Sequence, residues 1–376
     1  MNAAWRPEVL EFFAGAGMAR LGLDGWQTAF ANDFDPIKVA AYRARFGPEA
    51  LRPGNVWDLA LEDLPAGTAD LAWASSPCQD LSLAGARRGL SGSRSGAFWG
   101  FWRLLEALDA DGRAPRLVVV ENVVGLLTSN GGEDFRSLCD LFAQRGWSVG
   151  ALEMDAALWL PQSRPRLFIV AARSEANTLA APQAPFHTRA IVEAHAGLSA
   201  RARAAWRWWS IPTPGSPRSE LADLLQPDEE SAWLEPARAK VLIEMMGPLH
   251  RKKLEAVAAL GGRRIGTAYR RVRIERGVKV QRLEARFDGI AGCLRTPAGG
   301  SSRQYVLVVE GGTVRARLMT PREALRLMGV ADDYALPSSN SAGLKLAGDG
   351  VAVPVVRALS EGLLKPLLTG RERRAA

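Results

Sequence analysis

The sequence predicts an α/β protein built on a doubly wound, mostly parallel sheet, with a second, smaller domain set into its C-terminal half. Three observations lead there. Short apolar runs alternate with helical spacing in the N-terminal part. A glycine turn follows the first of those runs. The chemistry-bearing residues Gly15, Asp33, Cys78 and Glu121 each fall at the carboxyl end of a predicted strand, where ligands gather in such sheets.

The first element, Glu8 to Phe13, has a buried-strand pattern and runs into Ala14-Gly15-Ala16-Gly17 ahead of a helical stretch. Glycines here allow a tight turn and close approach of a cofactor, although the third glycine of the dinucleotide fingerprint is missing, so a plain tight turn reads equally well. The second run, Thr28 to Asn32, ends at Asp33-Phe34, placing a carboxylate where ribose hydroxyls are bound and a ring that can stack on a base. No Gly-x-x-x-x-Gly-Lys loop occurs, which points away from nucleoside triphosphates and towards an adenosine without phosphate. Two further strands are predicted, Ala69 to Ala74 and Pro115 to Val123, with a helix over Phe98 to Leu108 between them. The first of these opens into Ser76-Pro77-Cys78-Gln79-Asp80, a turn that presents a thiol as a nucleophile; an inert structural cysteine is the competing reading.

The chain has 376 residues, enough for two domains, and 47% hydrophobic with 23% charged residues is ordinary for a globular protein. No apolar run reaches the roughly 18 residues of a membrane span and no signal-peptide core is present, so no membrane partner and a cytoplasmic, nucleoid-associated location are expected. Three cysteines and three histidines argue against a disulfide framework and against a metal. The net charge of +8 is regional: residues 251–303 carry 14 Lys/Arg against four acids, and the remainder is slightly acidic. Arginine interleaved with Tyr269 and Val/Ile residues there suggests a folded surface for nucleic acid.

Taken together, Phe12-Phe13-Ala14-Gly15-Ala16-Gly17, Ser76-Pro77-Cys78-Gln79, Glu121-Asn122-Val123, Pro161-Gln162-Ser163-Arg164-Pro165-Arg166, Arg317 to Gly329 and Gly348 to Pro354 resemble, in order and spacing, the motifs of DNA (cytosine-5) methyltransferases of bacterial type. That resemblance implies the S-adenosylmethionine-dependent methyltransferase fold, S-adenosylmethionine as cofactor and a flipped cytosine in double-stranded DNA as substrate. Cys78 is then the nucleophile. Glu121 engages the base, and Arg164 and Arg166 match the family's paired arginines, one of which helps orient it, with Arg164 favouring the thiolate. Cofactor contacts are expected from Phe13, Ala14, Gly15, Gly17, Asp33, Phe34, Asn55, Val56, Pro77, Asp349 and Val351. Asn55 stands where many relatives carry Asp, and Asp349 where they carry Asn.

DNA contacts are expected from Gln79, Ser82, Arg87, Arg88 and Arg94 in the glycine-rich segment after the nucleophile, and from Arg295, Gly299, Gly300, Arg303 and Gln304. The expected domains are 1–180 plus 336–376 for catalysis and cofactor, and 181–335 for target recognition. A monomer is expected, with a cognate restriction endonuclease as a candidate partner. A tRNA cytosine-5 methyltransferase, a non-catalytic DNA-binding relative, and a nicotinamide oxidoreductase, which fits the glycine turn but leaves Pro77-Cys78-Gln79 and the arginine-rich window unexplained, are the rival readings.

Overall fold

The computed structural model describes residues 6–77, 96–173, 177–215, 219–297 and 303–370. The chain divides into two compact units: residues 1–155, 165–214 and 355–376 form the first, and 156–164 with 215–354 the second.

The first unit is built on seven strands: β1 (Glu8–Phe12), β2 (Gln27–Asp33), β3 (Leu51–Pro53), β4 (Leu71–Ala74), β5 (Leu117–Asn122), β6 (Ser148–Asp155) and β7 (Pro165–Ala172). Their order across the sheet is β3-β2-β1-β4-β5-β7-β6, parallel as far as β5, whereas β7 runs antiparallel to both neighbours. The expected doubly wound, mostly parallel sheet is what forms. Its strand order reverses between β1 and β4, the kind of switch point beside which such sheets bind ligands.

Alternate residues of the strands feed opposite faces. Leu10, Phe12, Ala72, Ala74, Val118 and Val120 pack beneath α3 (Ala97–Ala110) and α4 (Glu133–Gln144), whose apolar sides supply Phe98, Phe101, Trp102, Phe135 and Phe142. On the opposite face Ala14, Ala31 and Leu51 meet Val39 and Tyr42 of α2 (Pro36–Phe46), which follows the short helix α1 (Met18–Gly22). The helix expected over Phe98 to Leu108 forms and runs slightly further at both ends, with its buried side chains confined to Phe98 through Leu108.

Residues 181–214 remain with this unit, so its boundary lies later than the expected 181. The cause is tryptophan packing. The short strands β8 (Thr178–Leu179) and β9 (Trp208–Trp209) pair, Trp209 Nε1 donates to the Val170 carbonyl at 3.1 Å, and Trp206 caps the core beside α5 (Arg189–Ala196) and α6 (Ala200–Ala205).

The second unit carries an antiparallel sheet in the order β11-β10-β12-β13, formed by β10 (Arg264–Glu275), β11 (Val278–Arg286), β12 (Gln304–Glu310) and β13 (Thr313–Leu318). Helices α7 (Pro236–Glu244) and α8 (Pro248–Ala259) cover one of its faces through Ala239, Leu242 and Leu254. Arg317 and Glu323 make a buried ion pair, Nη2 to Oε1 2.6 Å, and Glu323 also closes the Thr320 capping box of α9 (Pro321–Arg326). Burial alone would raise the Glu323 carboxyl, but the guanidinium and two backbone N–H groups outweigh it and hold it below its ordinary range. Helix α10 (Asn340–Asp349) ends this unit. The chain then continues through α11 (Val353–Leu359), a π-turn at Ser360–Leu364 and α12 (Lys365–Thr369). From residue 355 onward it belongs to the first unit, where Trp26 Nε1 donates to Ser360 Oγ at 2.8 Å.

Candidate active site

In the first unit the candidate residues collect at one edge of the sheet because β1, β2, β4 and β5 all end there. β7 runs the other way, so its first residues, Pro165 and Arg166, reach the same edge. The turn after β1 is tightly wound: Phe13 adopts φ 57°, rare for an aromatic residue, and Gly15 adopts φ 57°. A Cβ added at Gly15 would meet nothing within 4 Å, so the turn fronts open space. Gly17 is different, since a Cβ there would lie 2.3 Å from the Phe46 ring.

Asp33 fastens this turn. Its Oδ2 accepts from Gly15 N at 2.8 Å and its Oδ1 from Asp35 N at 2.8 Å, while burial raises its carboxyl above the ordinary value. Each carboxylate oxygen keeps a second lone pair for a ligand hydroxyl. Phe34, next in sequence, is 68% exposed. Asn55 is exposed, but its Oδ1 accepts from Trp57 N at 3.1 Å and caps a short 3-10 turn, while Val56 is buried. These features suit a phosphate-free adenosine: an open glycine turn, an acceptor beside it and a flat exposed ring.

Glu121 closes β5 and is 8% exposed. Its Oε1 lies 3.3 Å from Arg166 Nε, so the carboxylate is fixed by a guanidinium from the antiparallel neighbour. Asn122 donates through Nδ2 to the Ser76 carbonyl at 3.0 Å and accepts from Val123 N through Oδ1, which holds the segment leading to Pro77. Pro77 is exposed. Cys78, Gln79, Ser82, Arg87, Arg88, Arg94, Gly299 and Gly300 lie outside the described residues.

Arg164 belongs to the second unit and is 1% exposed. Its Nη1 donates to the Leu294 carbonyl at 2.7 Å and its Nη2 to the carbonyls of Gly348 and Gly350 at 2.7 and 2.6 Å. The two arginines of the Arg164-Pro165-Arg166 run therefore part company: Arg164 is committed to main-chain oxygens, and Arg166 to Glu121. Asp349 accepts from the Thr296 hydroxyl, and Val351 is buried. Gly348 is pressed against that same segment, where an added Cβ would lie 2.3 Å from Thr296 N.

Among the expected DNA contacts, Arg295 is exposed and Arg303 donates to Ser341 Oγ at 2.6 Å. Gln304 differs from expectation. It is buried at the start of β12 with Nε2 donating to the Gly292 carbonyl at 2.6 Å, so its amide serves the sheet and is not offered to a base edge. The basic window also looks different in three dimensions: Arg263, Arg271, Arg273, Arg282 and Arg286 are all ion-paired with Asp or Glu.

Two residues of the first unit do not stand out from the sequence. Asn122 lies in a motif whose charged neighbour drew the reading. Glu11 is a carboxyl inside the first apolar run, and that misfit was the available signal. It is 1% exposed, its Oε2 receives the Tyr42 hydroxyl at 3.4 Å, and Oε1 has no hydrogen-bond partner among the described residues. Burial pushes its carboxyl up to about 8, against the lowering influence of Arg20 and Tyr42.

Among the described residues no helix is long and apolar enough to cross a membrane, and no cluster of His, Cys, Asp or Glu is arranged to hold a metal ion.

Residues 8–365 match the family model for C-5 cytosine-specific DNA methylase. The chain is 24% identical over 363 residues to the Type II methyltransferase M.HaeII of Haemophilus aegyptius, covering 96% of this chain and 93% of that protein. It is 23% identical over 351 residues to M.HhaI of Haemophilus parahaemolyticus, covering 93% and 91%. Among solved structures, the methyltransferase EhMeth of Entamoeba histolytica superposes with a TM-score of 0.59 at 15% identity, covering 95% of this chain and 97% of that one. The S. pombe Dnmt2 methyltransferase superposes with a TM-score of 0.55 at 16% identity, covering 96% and 99%. At those identities the structural likeness speaks for the fold.

Proposed function

The chain belongs to the C-5 cytosine-specific DNA methylase family and is an enzyme of DNA methylation; on that premise we propose that it methylates carbon 5 of a flipped-out cytosine in double-stranded DNA, using S-adenosylmethionine, through a covalent adduct at Cys78. The observation that carries this reading is the Glu121–Arg166 pair on the strand rim that also holds the Gly15 turn and Pro77, the residue before Cys78.

Carbon 5 of cytosine is a weak nucleophile. The Cys78 thiolate adds to carbon 6, breaking the 5,6 double bond and pushing its electron pair towards carbon 5. S-adenosylmethionine, when bound, supplies an electrophilic methyl group. After transfer the carbon 5 proton leaves to water, and the electrons it releases expel the thiolate and restore the ring. Glu121 shares a proton with ring N3 as the ring gains electron density, and Arg166 fixes Oε1 so that Oε2 meets the base. A stacked base is closed to attack on both faces, hence the extrusion from the duplex.

For the cofactor, Gly15 gives close access, Asp33 accepts from the ribose, and Phe13 and Phe34 offer aromatic faces. Asn55 Oδ1 is engaged by Trp57 N, so we assign the adenine edge to its amide group and to the backbone around Val56. Arg164, enclosed by carbonyls, is assigned a positioning role: it joins residues 293–294 to residues 348–350. The Type II names of the relatives support a place beside a restriction endonuclease of the same target.

The test is a duplex carrying 5-fluorocytosine, which cannot lose its carbon 5 substituent. With S-adenosylmethionine the protein should be trapped as a covalent complex, and Cys78→Ser should neither be trapped nor methylate DNA. Normal methylation by Cys78→Ser would end the proposal.

A further inference from the structure

Strands β10 and β11 form a ribbon longer than the core beneath it. At its base, Ala268, Leu283 and Ala285 are buried against α7 and α8. The pairing Ala268↔Ala285, Arg270↔Leu283, Val272↔Gln281 and Ile274↔Lys279 puts those partners on one face, because residues directly opposite in an antiparallel pair point the same way. The face that is core at the base therefore continues outward as Val272, Ile274, Lys279 and Gln281, and none of the described residues covers it there: Val272 is 54% and Ile274 74% exposed. The opposite face is finished. Arg271 and Arg273 pair with Glu284, and Arg282 with Glu275, a lattice that stiffens the ribbon and occupies its arginines. At the tip, Arg276 and Gly277 turn the chain with φ 49° and 81°. Arg276, Lys279 and Gln281 have no side-chain partner among the described residues.

We propose that the uncovered face of this hairpin enters the major groove of the DNA and reads base edges there, with Gln281, Val272 and Ile274 as specificity-determining residues and Arg276 and Lys279 on phosphates. The inference rests on the methyltransferase reading above and adds where target choice resides. A two-stranded ribbon fits a groove about 12 Å wide. Glutamine can pair with an adenine edge, and branched aliphatic side chains meet the thymine methyl. Charge decides the occupant: residues 264–286 carry eight Lys/Arg against two Glu, and the carboxylates are held by arginines, which leaves the free cations to a polyanion. An acidic or apolar protein partner would not need an amide placed opposite Val272 on this face, with Lys279 opposite Ile274.

The experiment uses full-length protein, a randomised duplex library, and methylation-sensitive sequencing of what is modified. Gln281→Ala and the double variant Val272→Ala/Ile274→Ala should each relax or shift preference at one or more target positions, or lower kcat/KM on the preferred site about tenfold or more. Arg276→Ala should weaken binding to all sequences alike and reduce the salt dependence of binding by about one unit of slope. Binding of S-adenosylmethionine and the thermal melt should stay as in the parent, since these side chains are exposed. An unchanged sequence profile and rate in the Gln281 and Val272/Ile274 variants would overturn the assignment while leaving Cys78-dependent methylation intact. If Ile274→Lys instead converts a dimer to a monomer in sedimentation, the face belongs to a second copy and the assignment also falls.

Discussion

Arg166 holds its Nε 3.3 Å from Oε1 of Glu121, across the ends of two antiparallel strands. The arrangement depends on β7 reversing direction, since a parallel β7 would deliver its first residues to the opposite edge of the sheet. Both side chains are largely buried, so this pair is screened less than a surface ion pair. Glu121→Gln, which keeps the shape but cannot share a proton in the same way, should lower kcat on DNA by about 10²-fold or more with little change in cofactor affinity. Arg166→Ala should lower kcat to a similar degree by releasing the carboxylate. Single-turnover methylation alongside cofactor titration separates the two quantities; a loss confined to cofactor binding would contradict the role.

Arg164 is expected to behave differently. Replacing it with Ala leaves the buried Leu294 carbonyl and the part-buried carbonyls of Gly348 and Gly350 without this donor, at a cost of about 3 kcal/mol in unfolding free energy. Arg164→Lys should recover only part of this, because one ammonium cannot span acceptors that a planar fork reaches on two sides. Denaturant unfolding followed by tryptophan fluorescence measures both. Equal stability in all three proteins would show that the clamp is dispensable.

Gly348→Ala provides an independent probe of the same junction. Its Cβ would lie 2.3 Å from Thr296 N and 2.5 Å from the Arg295 carbonyl carbon, both backbone atoms with little room to shift. The substitution should destabilise the protein by about 1–3 kcal/mol, read as a lowered melting temperature. Gly15→Ala meets no such obstacle from neighbouring atoms, although its φ of 57° adds strain. Its effect should appear more strongly in cofactor affinity than in stability.

Glu11 predicts a pH dependence of stability. Its folded-state carboxyl is raised to about 8, far above the unfolded value near 4.5. A group raised on folding stabilises fully below its unfolded value, and that contribution is lost as pH climbs towards the folded one. Stability should therefore decline between about pH 4.5 and 8 on account of Glu11. Glu11→Gln, which is neutral throughout, should flatten this slope and melt higher than the parent at pH 8, by about 1 kcal/mol or more. Melting curves across that range would expose the opposite result, a variant with the parent's slope.

His187 acts in the other direction. Burial lowers its folded-state value below that of the free side chain, and its Nδ1 accepts from Gln183 N. Stability from the neutral ring is present above the unfolded value and is lost as pH falls through the folded one. His187→Phe should remove this acid sensitivity, measured as a flatter melting profile below pH 6.5.

The sequence alone determined the sheet and its loaded edge. Apolar runs such as Leu117 to Val120 are buried whichever tertiary partners they find, and the residues that follow them must lie at strand ends, so Gly15, Asp33 and Glu121 could be placed by counting. What it could not divide was the work of two arginines one residue apart, because the chain passes from one unit to the other between Arg164 and Arg166 and each meets partners distant in sequence. Nor could charge counting separate the ion-paired arginines of the β10–β11 hairpin from Arg276 and Lys279 towards its tip, or set Gln304 inside the sheet. Those outcomes depend on cross-strand register and on which groups lose water together, and only the folded arrangement supplies both.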